Sequence, residues 1–157
     1  MARKFTGSFT QQEGLSESAI AAAVAVLQSG RLHRYNLAPG EAGEVAQLEA
    51  EYREWQGSKF CLAVTSGGQA LQIALRACDV APGDKVLTNA YTLAPVPGAI
   101  RAVGADAVLV EIDENLRLDL DDLGAKTASS GARVLLLSHM RGHLCDMERL
   151  IAICDAA

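Results

Sequence analysis

Residues 60–71 read FCLAVTSGGQAL, an apolar run that passes directly into a Ser-Gly-Gly turn and then into a helical pattern. We predict a strand over residues 60–64, a turn at Ser66 and a helix near residues 68–78. Such a turn directs backbone N–H groups and the positive end of a helix towards one point, which suits a phosphate group. The alternative is a tight connection whose glycines serve only its geometry.

Three known fingerprints do not match this turn. It lacks the G-x-G-x-x-G pattern of dinucleotide-binding folds and the Gly-Lys-Ser/Thr ending of a Walker loop. Val64 stands two residues before Ser66, where the nucleophile elbow of hydrolases requires glycine. The turn therefore indicates a phosphate site or a plain connection, but none of these three chemistries.

The rest of the chain alternates short apolar runs with helical patterns. Because the runs are apolar on both faces and separated by helices, they predict an α/β fold with a parallel sheet. Further strands are predicted at 85–88, 107–110 and 134–137, and further helices near 94–103, 118–125 and 146–156.

Two more helices are predicted before this alternation begins. The first is capped by Ser16, carries the apolar stripe Ile20, Val24 and Leu27, and ends before Gly30. After a polar connection, the second carries Val45, Leu48, Tyr52 and Trp55 on one face and stops at Gly57. We therefore divide the chain into residues 1–58 (N-terminal helices and loop) and residues 59–157.

Composition excludes several classes of protein. The chain has 157 residues, of which 50% are hydrophobic, and a net charge of −5, so it can form a core but offers no basic surface for nucleic acid or anionic membrane. Its longest apolar run, residues 19–27, is too short to span a bilayer. The N-terminus has no signal-peptide core, and the four cysteines stand singly, which favours a cytoplasmic protein with reduced thiols.

Two loops that follow predicted strands carry candidate binding residues. Tyr91 and Leu93 are two positions apart, so an extended backbone would turn both towards one ligand, although an ordinary loop would also contain them. His139, His143 and Cys145 suggest a metal or a nucleophile pair, but Gly142 interrupts any helix that would align the histidines. A binding loop that ends where Asp146 caps the last helix fits better, and we predict no metal site.

A third polar cluster precedes the second helix. Arg31, His33 and Tyr35 could receive an acidic group of a substrate, or they could belong to a mobile surface loop.

Taken together, these segments resemble the DegT/DnrJ/StrS family of PLP-dependent sugar aminotransferases, from Gly14 to Ala157. The resemblance rests on the order and spacing of five segments: LQSGRL at 27–32, YREWQG at 52–57, AVTSGGQAL at 63–71, PGDKV at 82–86 and GADAV at 104–108, followed by His139, Gly142 and Asp146. It implies a three-layer α/β/α arrangement, the first half of the large domain of a fold type I enzyme, over residues 59–157. It also implies pyridoxal 5'-phosphate as the cofactor.

The resemblance also implies roles for individual residues. Gly67, Gly68 and Gln69 would cradle the cofactor phosphate. The family commonly has a hydroxyl residue at the position of Gly68 and an aromatic ring, stacked on the cofactor, at that of Leu93. Backbone N–H groups would then carry the phosphate contact, and Leu93 or Tyr91 would cover the cofactor, with His139 nearby. Arg31, His33 and Tyr35 match the loop near the substrate entrance.

As a member of this family, the intact protein would transfer an amino group from glutamate or glutamine to a keto sugar or cyclic keto-polyol, through pyridoxamine phosphate, and would act as a homodimer. The Schiff-base lysine and the carboxylate partner of the pyridine nitrogen would lie beyond this chain. None of its lysines (Lys4, Lys59, Lys85 and Lys126) matches, so we expect no catalytic residue here and an inactive chain on its own. The alternatives are a PLP sugar dehydratase, a non-catalytic PLP or phosphate-binding module, and another α/β phosphate binder such as a nucleotide-binding domain.

Overall fold

A computed structural model describes residues 6–8, 10, 12–35 and 37–157 of the chain. The chain divides into two compact units, Met1–Ala63 and Val64–Ala157, which are described separately. The predicted boundary after residue 58 stays a prediction.

The first unit contains two helices, both close to the predicted positions. Helix α1 spans Glu17–Ser29, and the Ser16 side chain caps it by accepting a hydrogen bond from the Ala19 N–H, as predicted. Helix α2 spans Glu44–Gln56 and ends at Gly57, whose φ of 68° is the left-handed conformation that glycine adopts most easily. Neither helix buries a residue, and both apolar stripes stay exposed except at Val45, which is half-buried.

The second unit is built on a parallel sheet of three strands. Strand β1 spans Lys85–Asn89, β2 spans Asp106–Val110 and β3 spans Val134–Leu136, in the spatial order β2-β1-β3. Leu87 of β1 lies opposite Val108 of β2 and Leu135 of β3. The prediction of a parallel sheet is confirmed.

The predicted strand at residues 60–64 is wrong, because this segment pairs with none of the described strands. Phe60 is 81% exposed and Leu62 is 55% exposed. An apolar run becomes a strand only where a neighbour satisfies its backbone groups, and sequence pattern alone does not show that neighbour.

Helices connect the strands and cover both faces of the sheet. Helix α3 spans Gly67–Ala77, α4 spans Pro95–Ala102, α5 spans Leu120–Ser130, and α6 spans Met147–Asp155; a short 3₁₀ turn occupies Met140–Gly142. The predicted helices are confirmed with shifted ends; α5 shifts most, because it begins at Leu120 after the cap Asp119 and continues to Ser130, whereas residues 118–125 were predicted.

Alternate residues of the strands point into two separate cores. Val86 packs with α3 and α4 in one core, whose other buried members are Leu75, Val80, Ala99, Ile100, Val103 and Ala105. Leu87 packs with α5 and α6 in the other, with Val110, Leu118, Leu120, Leu123, Cys145 and Leu150. The connection from β1 to β2 moves one way across the sheet and that from β2 to β3 moves back, so right-handed crossovers place α4 and α5 on opposite faces. The result is the expected α/β/α layering.

Candidate functional site

The carboxyl edge of the sheet gathers the loops in which ligands of open α/β folds bind. Hydrogen bonds between neighbouring strands tie these loops together. The buried Asn89 side chain accepts a hydrogen bond from the Ser138 N–H at 2.9 Å, and the Ala90 N–H donates to the Val110 carbonyl at 2.8 Å. The loop after β1 is therefore fixed to the ends of both neighbouring strands.

The N-terminus of α3 faces the same edge. The short link of residues 78–84 joins the end of α3 to the start of β1, so the beginning of the helix lies towards the other end of the strand. Leu71 and Leu75, one turn apart, both pack against the core that contains Val86, which keeps the helix along the sheet. This geometry brings the Ser-Gly-Gly turn to the carboxyl edge.

Three backbone N–H groups at this helix start have no acceptor among the described residues, those of Ser66, Gly67 and Gly68. Ser66 is the N-cap, and its hydroxyl accepts the Gln69 N–H at 3.2 Å. A Cβ added at either glycine would meet nothing within 4 Å. Unpaired donors, open space and the helix dipole together fit a phosphate group.

The Gln69 backbone N–H already donates to the Ser66 hydroxyl and is not free for a phosphate; the place of Gln69 in the cradle stays a prediction. Its side chain extends back to Thr65, whose hydroxyl donates to Gln69 Oε1 at 2.6 Å. Sequence reasoning missed Thr65; a hydroxyl four residues before a glutamine at a helix start was the available signal.

The loop after β1 holds the other predicted cofactor contacts. Tyr91 is half-buried and Leu93 is 59% exposed. Between them, the buried Thr92 hydroxyl has no hydrogen-bond partner within the described part of the chain. A buried hydroxyl without a partner is costly, and a ligand at this edge would relieve that cost. Thr92 was not among the predicted residues.

His139 leaves β3 at the same edge and is half-buried at the start of the 3₁₀ turn. The next residue but one, Arg141, has a φ of 53°, which is unusual for a residue with a side chain. Asp146 caps α6 as predicted, by accepting the Arg149 N–H at 3.1 Å. No three His, Cys, Asp or Glu residues in the described ranges could share a metal ion.

The predicted substrate residues belong to the first unit. Arg31 forms an ion pair with Glu41, and the rings of His33 and Tyr35 stack with their centroids 5.0 Å apart. The structure therefore groups the three in one loop, but the Arg31 charge already has a partner.

A second ion pair lies close by in this unit. Arg34 binds both oxygens of Glu49 at 2.9 and 3.0 Å. The Ala63 N–H, which also donates to Glu49, lowers the pKa of that carboxyl, with a further contribution from Arg34. Glu49 therefore holds the end of the segment that leads towards the Ser-Gly-Gly turn.

Each of the three lysines in the described residues has a different environment. Lys126 donates to the Leu109 carbonyl and to Asp122, whereas Lys85 begins β1 at the opposite edge of the sheet. Lys59 lies over the Phe60 ring in the first unit. Lys4 lies outside the described residues.

One cavity in the second unit contains none of the predicted cofactor-binding or substrate-binding residues. It has a volume of about 330 Å³ and lies between the start of α5 and the start of α6. Its aspartates pair with arginines or cap helices: Asp113, Asp119, Asp121 and Asp146. We therefore assign it no binding role.

Comparison with known proteins identifies the family. The model of the DegT/DnrJ/EryC1/StrS aminotransferase family matches residues 14–157. The chain belongs to this family. The dTDP-3-amino-3,4,6-trideoxy-alpha-D-glucose transaminase of Streptomyces venezuelae is 36% identical over 144 residues, which cover 91% of this chain and 36% of that protein.

Solved structures agree with this membership. The sugar aminotransferase CalS13 from Micromonospora echinospora matches with a TM-score of 0.76 and 32% identity over 91% of this chain and 37% of its own. Spr1654 from Streptococcus pneumoniae, solved in a PLP form, matches with a TM-score of 0.73 and 25% identity over 89% of this chain and 34% of its own. The predicted cofactor, pyridoxal 5'-phosphate, is thereby confirmed for the family.

The chain spans between 26% and 38% of the length of the curated relatives it matches. No helix within the described residues is long and apolar enough to cross a membrane.

Proposed function

We propose that the intact protein carrying this chain is a PLP-dependent aminotransferase that transfers an amino group from glutamate or glutamine to a keto sugar or cyclic keto-polyol. One observation carries the proposal: two unpaired N–H groups, those of Gly67 and Gly68, begin a helix at the carboxyl edge of the sheet. In a family that uses pyridoxal 5'-phosphate, this is where a phosphate dianion fits.

The bound cofactor would supply an electron sink and a carrier for the amino group. The residues of this chain would bind and orient it. Gly67 and Gly68 would donate their N–H groups to its phosphate, and the Thr92 hydroxyl would gain a partner. Tyr91 and Leu93 would cover it, with His139 from the neighbouring loop. Because neither Lys85 nor Lys126, the lysines of the second unit, lies free at this edge, we assign no catalytic residue here and expect the chain alone to be inactive.

The sugar substrate is proposed from the relatives. The Streptomyces venezuelae relative is named for a dTDP-linked amino sugar, and CalS13 is described as a sugar aminotransferase. In the same proposal, the loop with Arg31, His33 and Tyr35 contributes to substrate binding. We further propose that the protein acts in the cytoplasm as a homodimer, which light scattering on the natural polypeptide would test.

The test uses the natural polypeptide that contains residues 1–157, purified with PLP. Glutamate should change the visible absorbance of the bound PLP. A dTDP-linked 3-keto sugar should return that absorbance to its starting value while an amino sugar forms. Bound PLP with no response to any amino donor would instead indicate a non-catalytic module. Loss of water from the sugar without amino transfer would indicate a dehydratase. If nucleotides stabilised the protein against unfolding and PLP did not, the chain would belong to another group of phosphate binders.

A further inference from the structure

Residues 59–65 lead into the Ser-Gly-Gly turn without pairing with any described strand. Within this segment, Ala63 is the one residue whose backbone N–H has an acceptor in the described part of the chain, and that acceptor is Glu49 Oε1 at 2.8 Å. An unpaired segment keeps its conformational freedom unless a contact fixes its backbone. This hydrogen bond fixes it three positions before Ser66, the residue that caps α3.

Glu49 also binds the loop at residues 31–35. Both of its carboxylate oxygens accept hydrogen bonds from Arg34 Nη2, at 2.9 and 3.0 Å. Arg34 stands between His33 and Tyr35, whose rings stack on each other. The Glu49 side chain is only 14% exposed, against 46% for Arg34, so the carboxylate is the inner member of this ion pair. One side chain of α2 therefore holds two segments that are far apart in the sequence.

The other ion pair of this loop has only local contacts. Arg31 pairs with Glu41, which also accepts the Ala38 N–H three positions away. Glu49, by contrast, joins a residue 15 positions before it to one 14 positions after it. Glu49 is therefore the residue through which the order of the loop and the order of the chain entering the turn depend on each other.

We propose that Glu49 is a positioning residue that orders both the loop at residues 31–35 and the chain that enters the Ser-Gly-Gly turn. The inference rests on the proposed function, in which that loop contributes to substrate binding and that turn binds the PLP phosphate. Glu49 touches neither ligand. It acts on the loop through Arg34, and on the turn through Ala63 and the chain from there to Ser66.

The two contacts use different properties of the carboxylate. The negative charge strengthens the hydrogen bonds from Arg34, because hydrogen bonds between ionised groups are the stronger ones. The Ala63 N–H needs only an oxygen acceptor, which an uncharged amide also provides. Substitution can therefore remove one contact and keep the other.

The test uses the natural polypeptide and measures the dissociation constant of PLP together with kcat and KM for a dTDP-linked 3-keto sugar. Glu49→Gln keeps an acceptor for Ala63 but loses the charge, so KM should rise roughly 3- to 10-fold while the PLP dissociation constant changes less than about twofold. Arg34→Met should give the same result, because Glu49 then still accepts the Ala63 N–H. In both variants kcat should change less than about twofold, because neither residue touches the reacting atoms.

Glu49→Ala removes both contacts at once. It should raise KM as the other two variants do, and it should also weaken PLP by roughly 3- to 10-fold, the range for one ordinary hydrogen bond. Glu49→Gln combined with Arg34→Met should raise KM no further than either change alone, since both break the same ion pair.

Glu51→Gln is the matched control. Glu51 lies on the same helix, is exposed, and has no side-chain hydrogen bond or ion pair among the described residues. This variant should bind PLP and the sugar as wild type does.

A uniform effect of the variants would overturn the inference. If Glu49→Ala, Glu49→Gln and Arg34→Met all behaved like Glu51→Gln, Glu49 would have no positioning role. If all three weakened PLP and sugar binding equally while lowering the Tm, Glu49 would only stabilise the fold. Glu49→Gln and Arg34→Met decide the question even where Glu49→Ala does not fold, because both keep the length of the side chain.

The wild-type protein separates this inference from the proposed function. If wild type binds no PLP, or binds it and converts no amino donor, the proposed function is refuted and the inference fails with it. If wild type transfers the amino group and Glu49→Ala does so with the same constants, only the role of Glu49 fails.

Discussion

Replacing Gly68 by aspartate tests the location of the phosphate site without weakening the helix. Gly68 is the second residue of α3, its N–H has no acceptor in the described structure, and a side chain there meets open space. A carboxylate in the first turn is favourable for an isolated helix by about 0.3–1 kcal/mol, because it faces the positive end of the dipole. The substitution should therefore leave the fold intact.

The same carboxylate would face the bound phosphate. A unit charge about 5 Å from a dianion costs about 1.5–3 kcal/mol at the effective dielectric constants of a solvated site, roughly between 40 and 80. That energy corresponds to a loss of PLP affinity of roughly 10- to 150-fold. Part of the loss should disappear in high salt, because exposed charges are screened.

The assay is equilibrium dialysis of PLP against the natural polypeptide, with Gly68→Ala as the matched control. Alanine adds only a methyl group in open space, and we expect less than about a threefold change. Thermal unfolding without cofactor should give a Tm for Gly68→Asp equal to or above that of wild type. Unchanged PLP affinity in Gly68→Asp, or an equal loss in Gly68→Ala, would refute the assignment of the phosphate to this helix start.

Two other predictions concern the stability of the second unit. Asn89→Ala should lower the free energy of unfolding by about 1–3 kcal/mol, because it leaves the half-buried Ser138 N–H without its acceptor; denaturant titration measures this free energy. The Glu111 N–H, and then Lys126, lower the pKa of Asp122 in the folded protein. The ionised carboxylate therefore stabilises the fold above its unfolded pKa of about 3.8 and loses this effect as the pH falls through the lower folded value. The stability difference between wild type and Asp122→Asn should shrink as the pH falls below about 4.

Each of these has a contrary outcome. Wild-type stability in Asn89→Ala would show that Ser138 finds another acceptor, and the loop after β3 would then not depend on Asn89. A difference between wild type and Asp122→Asn that stays constant from neutral pH to pH values well below 4 would show that ionisation of Asp122 does not contribute.

The features confirmed from sequence are mostly local ones. Ser16 and Asp146 begin helices because a short polar side chain can reach an N–H three residues ahead, whatever lies elsewhere in the fold. Apolar runs between such helices identified the three strands within one or two residues, although only β1 is buried along most of its length. Together with the spacing of the motifs, this local information sufficed for the family and its cofactor.

Contacts between distant residues decided the rest. Residues 60–64 have the composition of a strand but pair with no described strand, because pairing depends on a neighbour and not on composition. Asn89 accepts the Ser138 N–H across 49 positions, and only the β2-β1-β3 order brings them together.

The candidate site shows both kinds of information at once. The glycines of the turn were visible in the sequence as a possible phosphate cradle. Which N–H groups remain unpaired depended on the side chain of Ser66, and the orientation of the Gln69 amide depended on Thr65. A sequence therefore determines which donors a segment can offer. Three-dimensional structure decides which of them are left for a ligand, because each hydrogen bond made within the protein removes a donor from the site.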